Sequence, residues 1–241
     1  MSRSPDTATL ERATRTGSTA AGLRDLSVER ELAASGVESI IGMDEVGRGC
    51  VAGPIGVGAV HYRLVDLLAG DIPAGIHDSK QLNITARQTI AQTVTAWQQH
   101  TAVAFAEPAE IDALGVTLAL CLAGRRALAA LPPASLVLLD GSHDWLSSPL
   151  TLDCFDTFGP AAEVEVPDVR TIIKGDGTRV TIAAASVLAK VARDELMHAL
   201  ATEYPGYAWD SNVGYLTQAH RAGVAAHGLS PHHRRSFRID V

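Results

Sequence analysis

Cysteine is scarce in this 241-residue chain, and its three copies, Cys50, Cys121 and Cys154, are odd in number and widely spaced. That pattern fits neither a disulfide framework nor a thiolate zinc site, and it points to reduced, structural thiols. No apolar run approaches the length needed to cross a bilayer. The first residues carry acids at Asp6 and Glu11 with no apolar core, so they do not read as a secretory signal, and a cytoplasmic protein with no membrane attachment is expected. Internal repeats are absent, as are low-complexity segments beyond the N-terminal tail. A basic excess is missing too: 20 Lys and Arg stand against 27 Asp and Glu, a net charge of −7, which argues against a general nucleic-acid coat. The distribution softens that objection. From Ser211 onward the only acid is Asp240, against Arg221, Arg234, Arg235, Arg238 and four histidines, so one end of the chain is basic.

What is present suffices for one sizeable core, with 46% of residues hydrophobic and 20% charged. Residues 1–26 have few bulky apolar side chains over their first two-thirds and are expected to form a disordered tail. Residues 27–241 are expected to form a single domain whose C-terminal segment, from about 206, is a helical appendage. Within it, Ser27 and Gly36 bracket a short helix. Strands are expected at about 39–45, 55–63, 101–107, 135–139 and 169–173, and helices at about 85–99, from Ile111 to Pro132, at 181–203 and at 215–227. Residues 65–79 read as a loop, and 141–168 as a surface insertion.

The densest stretch runs from Ile40 to Pro54. A β-branched lead-in ends in Asp44 and Glu45, and Gly47-Arg48-Gly49 then breaks the strand, leaving both acids at its end. In a regular strand these two side chains point to opposite faces, but a bend at Gly47 could turn both toward one site. An isolated Asp-Glu pair is more often a solvated strand end than a metal site. The Gly-rich turn is short enough to make the first two strands an antiparallel hairpin. The apolar run ending in Asp140-Gly141 has the form of a central parallel strand. Laid parallel to the first strand, with the preceding helix as crossover, it brings Asp140 near Asp44.

These motifs, together with Asp78-Ser79-Lys80, Lys174-Gly175-Asp176, the Ala183 to Asp194 helix, Tyr204-Pro205-Gly206-Tyr207, Gly214-Tyr215 and His233-Arg234-Arg235-Ser236-Phe237, resemble in order the signature of type 2 ribonuclease H, the ribonuclease HII family. The resemblance runs from about Glu29 to Phe237. It implies a ribonuclease H-like α/β fold: a five-stranded mixed sheet flanked by helices. It also implies a metal-dependent endonuclease that cuts RNA in RNA–DNA hybrids and single ribonucleotides in duplex DNA, leaving 3′-hydroxyl and 5′-phosphate ends. Its partners would be those two nucleic acids, and a monomer is expected.

The implied catalytic and metal-binding residues are Asp44, Glu45, Asp140 and Asp176. Hard oxygen ligands without histidine or thiolate suit two Mg²⁺ or Mn²⁺ ions better than zinc. Gly47, Arg48 and Gly49 would read the ribose 2′-hydroxyl, since glycines allow close backbone approach to a ligand. Tyr215 would stack on the neighbouring sugar, while Lys80, Lys174, Arg234 and Arg235 would contact phosphates. The chain departs from the family at Cys50, where proline is expected, at Val213 and Leu216 beside Tyr215, and in the 36 positions separating Asp140 from Asp176. Asp144, in that longer segment, is a rival ligand. Lys190, Arg193 and Asp194 read as a solvated helix face. Two other readings use the same residues: a nucleic-acid-binding module that has kept the fold but lost the chemistry, and a Mg²⁺-dependent enzyme acting on small phosphate compounds.

Overall fold

The computed structural model describes residues 25–76 and 83–240. Lys80 and nearly all of the expected tail lie outside the described residues. The chain runs through α1 (Ser27–Ala34), β1 (Ser39–Val46), β2 (Ile55–Arg63), α2 (Leu64–Ala69), α3 (Ile84–Trp97), β3 (Thr101–Ala106), α4 (Pro108–Ala129), β4 (Leu136–Asp140), α5 (Phe155–Phe158), β5 (Asp168–Ile172), α6 (Gly175–Thr178), α7 (Val180–Glu203), α8 (Trp209–Asn212) and α9 (Gln218–His227). The strands form one sheet in the order β3-β2-β1-β4-β5. β1 pairs antiparallel with β2 and parallel with β4, and β4 pairs parallel with β5. Parallel pairing sends β1, β4 and β5 out at the same edge of the sheet, which is what gathers the acids.

Alternation along β1 divides the core. Ile41 and Met43 face one layer, with α4 and the segment around Trp145, Phe158 and Ala161. Ile40 faces the other, with α1, α3 and α7. On that second face α7 comes very close to the sheet. A Cβ built at Gly42 would sit 2.1 Å from the Thr181 carbonyl oxygen, and one at Gly58 would sit 2.2 Å from that of Ala185. Glycine in β1 and β2 is therefore a packing requirement, met from the helix side by the buried Ala183, Ala184 and Ala185.

Four expectations are corrected. Residues 65–79 do not begin as a loop: β2 passes directly into α2, where Leu64 and Leu67, three apart, are buried and hold the turn and a half in place. The helix after Pro108 is kinked at Gly115, whose φ of 74° lies outside helical space, although its start is fixed by a capping box between Glu107 and Glu110. The 141–168 segment is not a surface insertion, because Trp145, Leu146, Cys154 and Phe158 are buried against α4. Residues 215–217 precede α9 rather than belonging to it, and the Thr217 side chain caps the helix at the His220 N–H. Among the described residues, no helix is long and apolar enough to cross a membrane.

Candidate active site

Asp44 lies two residues before the end of β1, Asp140 ends β4, and Asp176 lies in α6, just beyond β5. Each offers a carboxylate oxygen, and the three oxygens lie within 4.8 Å of one another. The turn into α6 is tight. Lys174 adopts a left-handed φ of 55°, and a Cβ at Gly175 would sit 2.5 Å from Ile182 Cδ1 and 3.2 Å from Asp140 Oδ1. The Asp176 N–H then donates to Asp140 Oδ1 at 3.2 Å, tying the second and third acids together.

Asp44 is buried, and burial pushes its carboxyl up to about 7, opposed by a hydrogen bond with Ser186 and reinforced by the neighbouring charges of Asp140, Glu45 and Asp176. Three carboxylates this close, one buried and two half-buried, make a favourable place for a cation that offsets their charge. The all-oxygen donor set fits a hard divalent ion, and these three side chains would hold it.

Glu45 is placed differently from its neighbour. β1 stays regular to the Val46 to Gly56 pair, so no bend brings Glu45 round to the Asp44 side. Its carboxylate instead accepts the Trp145 indole N–H at 3.2 Å and lies 3.6 Å from Arg48 Nη1. Burial raises its carboxyl above the usual range, and Trp145 and Arg48 pull it back. It still lines the same cleft as Asp44 and Asp140, but outside the group of three. Asp144 is no ligand of that group: its Oδ1 accepts the N–H groups of Leu146 and Ser147, shaping the turn that delivers Trp145.

Gly47, Arg48 and Gly49 form the next wall of the cleft, with Tyr215 beside Gly49 and Ser186 and Lys190 along α7. Gly47 has a φ of 78°, and a Cβ there would lie 2.1 Å from Arg193 Nε, so both conformation and space demand glycine. The Tyr215 ring borders Gly49, 3.8 Å from where a Cβ would be, and is 49% exposed. A buried chain of rings holds its backbone. The Ser230 N–H donates to His233 Nδ1 at 3.0 Å, His233 Nε2 lies 3.0 Å from His220 Nε2, and His220 Nδ1 lies 2.9 Å from the Tyr215 carbonyl oxygen. Trp209 also donates to His220 Nε2. These contacts fit two neutral rings, His233 carrying its proton on Nε2 and His220 on Nδ1, with the single lone pair of His220 Nε2 shared between the His233 and Trp209 donors.

The remaining expected contacts divide. Lys174 and Arg235 are exposed. Arg234 is fully buried, with its guanidinium on backbone carbonyls, so the tail arginine expected at a phosphate is instead inside the protein. Nor is residue 193 part of a solvated face: Arg193 is buried and donates to the carbonyls of Pro54, Val213 and Ala52. Lys190 is on the cleft rim, paired with Asp194 at 2.6 Å. Trp145 and Ser186 are site residues that the sequence did not single out, and Lys190, expected on a solvated helix face, lines the cleft. Ser186 and Lys190 are four apart on one helix, the spacing that puts two side chains on one face, and that was the available signal.

Comparison with known proteins settles the lineage. A family model described as Ribonuclease HII matches residues 41–239. The chain belongs to the ribonuclease HII family. It is 42% identical to the ribonuclease HII of Streptomyces avermitilis over 88% of this chain and 82% of that one, and 43% identical to that of Ruegeria pomeroyi over 89% and 82%. Among solved structures it is similar to the ribonuclease H2 of Pyrococcus horikoshii, with a TM-score of 0.64 at 23% identity, covering 83% of this chain and 94% of that one. It is also similar to Bst-RNase HIII in complex with Mn²⁺, with a TM-score of 0.57 at 22% identity, covering 83% and 67%. The ribonuclease H-like fold is thus shared with both. As a ribonuclease HII family member the protein is an enzyme, a nuclease of the ribonuclease H type.

Proposed function

We propose that this member of the ribonuclease HII family uses the Asp44, Asp140 and Asp176 cleft to hydrolyse RNA in RNA–DNA hybrids and to cut on the 5′ side of a single ribonucleotide in duplex DNA, leaving 3′-hydroxyl and 5′-phosphate ends. The observation that carries the reading is the convergence of three carboxylates within 4.8 Å at the mouth of the Gly47 to Gly49 loop. Two divalent ions, Mg²⁺ or Mn²⁺, held there would activate a water and stabilise the departing oxygen. The chain's own contribution is positional. Asp44, Asp140 and Asp176 supply the ligand oxygens, with Glu45 at the edge of the set, steadied by Trp145.

Gly47, Arg48 and Gly49 would contact the 2′-hydroxyl, the group that tells RNA from DNA. They follow Glu45 by two to four residues. At roughly 3.3 to 3.6 Å per extended residue they reach no further than about 7 to 14 Å from Glu45, so the sensed hydroxyl lies next to the scissile phosphate and one ribonucleotide suffices on this reading. Tyr215, half exposed beside Gly49, would stack on the adjoining sugar. Lys174 and Arg235 would face phosphates, and Lys80 is assigned the same role.

The test uses end-labelled duplexes on a denaturing gel, with Mg²⁺ or Mn²⁺ present. A duplex with one ribonucleotide and a full hybrid should both be cut, while the all-DNA duplex stays intact. Cleavage of the hybrid alone would remove the single-ribonucleotide reading. Equal cutting of all three would remove the role of residues 47–49.

A further inference from the structure

We propose that Arg234 is a positioning residue for ribose recognition, tying two carbonyls of the glycine loop inward so that the amide N–H groups of Arg48 and Gly49 face the cleft. This rests on the reading of residues 47–49 as the 2′-hydroxyl contact. Arg234 Nη2 donates to the Gly47 carbonyl oxygen at 2.7 Å, Nη1 to that of Arg48 at 3.2 Å, and Nε to that of Gly53 at 3.0 Å. One planar fork thus spans both ends of the loop, a geometry that an ammonium group cannot reproduce.

The consequence for the other side of the loop follows from peptide geometry. The described chain has no cis bonds, and in a trans peptide the N–H points opposite to the C=O. Drawing the Gly47 carbonyl inward therefore turns the Arg48 N–H outward, and the Arg48 carbonyl does the same for Gly49. Both residues are exposed and line the cleft beside Asp44, Asp140 and Tyr215, whereas the next two amides are already used: Cys50 N–H on the Gly47 oxygen and Val51 N–H on the Gly214 oxygen. A hydrogen bond from a cation also polarises each peptide group, which strengthens its N–H as a donor toward a hydroxyl oxygen.

The strap that carries Arg234 is itself fixed. The Gly53 N–H donates to the His232 oxygen at 2.8 Å, and the Arg234 N–H to the Val51 oxygen at 2.9 Å. Arg193 holds the far end of the same loop through Ala52 and Pro54, and the turn before Tyr215 through Val213. Burial pushes the Arg234 guanidinium down to about 10, which still leaves it charged at neutral pH.

The experiment measures affinity in chelator, where nothing is cut, for a single-ribonucleotide duplex and for the all-DNA duplex of the same sequence. Arg234→Lys and Arg234→Gln are used rather than alanine, and each is checked by thermal unfolding. A positioning role predicts that the ratio of the two affinities falls roughly ten-fold in the variants through the ribonucleotide duplex alone. A folded variant with an unchanged ratio, or with both affinities lowered equally, overturns the proposal and leaves the loop as reader intact. No discrimination in the unaltered protein would instead overturn the reading of the loop, and the proposal with it. A second measurement needs no variant: in the native protein the Arg48 and Gly49 amides should exchange hydrogen much faster than those of Cys50 and Val51, and protected Arg48 and Gly49 amides would refute their outward orientation.

Discussion

The indole N–H of Trp145 donates to Glu45 Oε2 at 3.2 Å, joining a segment that follows β4 to the end of β1. Trp145 is 1% exposed and packs over Gly124 of α4, where a Cβ would come within 2.8 Å of the ring. A hydrogen bond to a charged group contributes about 1.5 to 3 kcal/mol. Trp145→Phe keeps most of the packing and loses the donor. Turnover is expected to fall roughly ten-fold or more, with a smaller loss of thermal stability. Unchanged turnover would show that Glu45 does not need this anchor.

Asp44→Asn and Asp140→Asn are each expected to abolish cleavage while preserving the fold, because an amide fills the same space and binds Mg²⁺ poorly. For Asp44 a second effect goes the opposite way. Its carboxyl titrates near 7 in the fold against an ordinary value of 3.8, so the folded state holds a proton that the unfolded chain gives up. That contribution to stability is complete below pH 3.8 and is lost as pH rises to about 7. In chelator at pH 8, Asp44→Asn should therefore melt at a higher temperature than the native protein. A lower melting temperature would mean that the apo site tolerates its crowded charge.

The buried histidine pair predicts the reverse dependence. Burial and the neighbouring His220 push His233 down to about 4 from an ordinary 6.5. The folded state thus refuses a proton that the unfolded chain accepts. Stability from this neutral ring is present above pH 6.5 and lost as pH falls toward 4. The melting-temperature difference between the native protein and His233→Gln should narrow over that window, as followed by circular dichroism. A constant gap would remove the neutral pair as its cause.

Gly58→Ala tests the contact between α7 and the sheet. The added methyl would meet the Ala185 backbone oxygen at 2.2 Å, and backbone cannot rotate away as a side chain can. A cost of about 1 to 3 kcal/mol, or more, is expected in denaturant unfolding. Because Ser186 and Lys190 ride on the same helix, activity in the folded fraction should fall as well. A neutral substitution would show that α7 has slack.

The parts of this molecule visible in its sequence are those set by short-range pattern. All five strands lie within one or two residues of their expected limits, since each is a short stretch rich in β-branched or apolar residues bounded by turn residues. Asp44 and Asp140 were legible as neighbours because each follows an apolar run near a glycine, where parallel strands end together, whereas Asp176 was reached through the family resemblance. What was hidden depends on long-range partners. Nothing near Arg234 distinguishes a guanidinium serving carbonyls from one serving phosphates, because its partners at Gly47, Arg48 and Gly53 are more than 180 positions away. Residues 141–168 lack periodicity, so the burial of Trp145 and Phe158 left no trace in the pattern. For Glu45 only the bend is missing: the β1 and β2 register continues past it, yet its side chain lines the cleft beside Asp44 and Asp140.

Arg234 reaches a loop that left the ribosome 187 residues earlier. Translation therefore sets an order among the properties of the enzyme. Asp44, Asp140 and Asp176 are all synthesised before the arginine that straps the Gly47 and Arg48 carbonyls, so the loop's strap is made after every acid of the site. On the proposed reading, the ability to tell ribose from deoxyribose is the last faculty the growing molecule acquires.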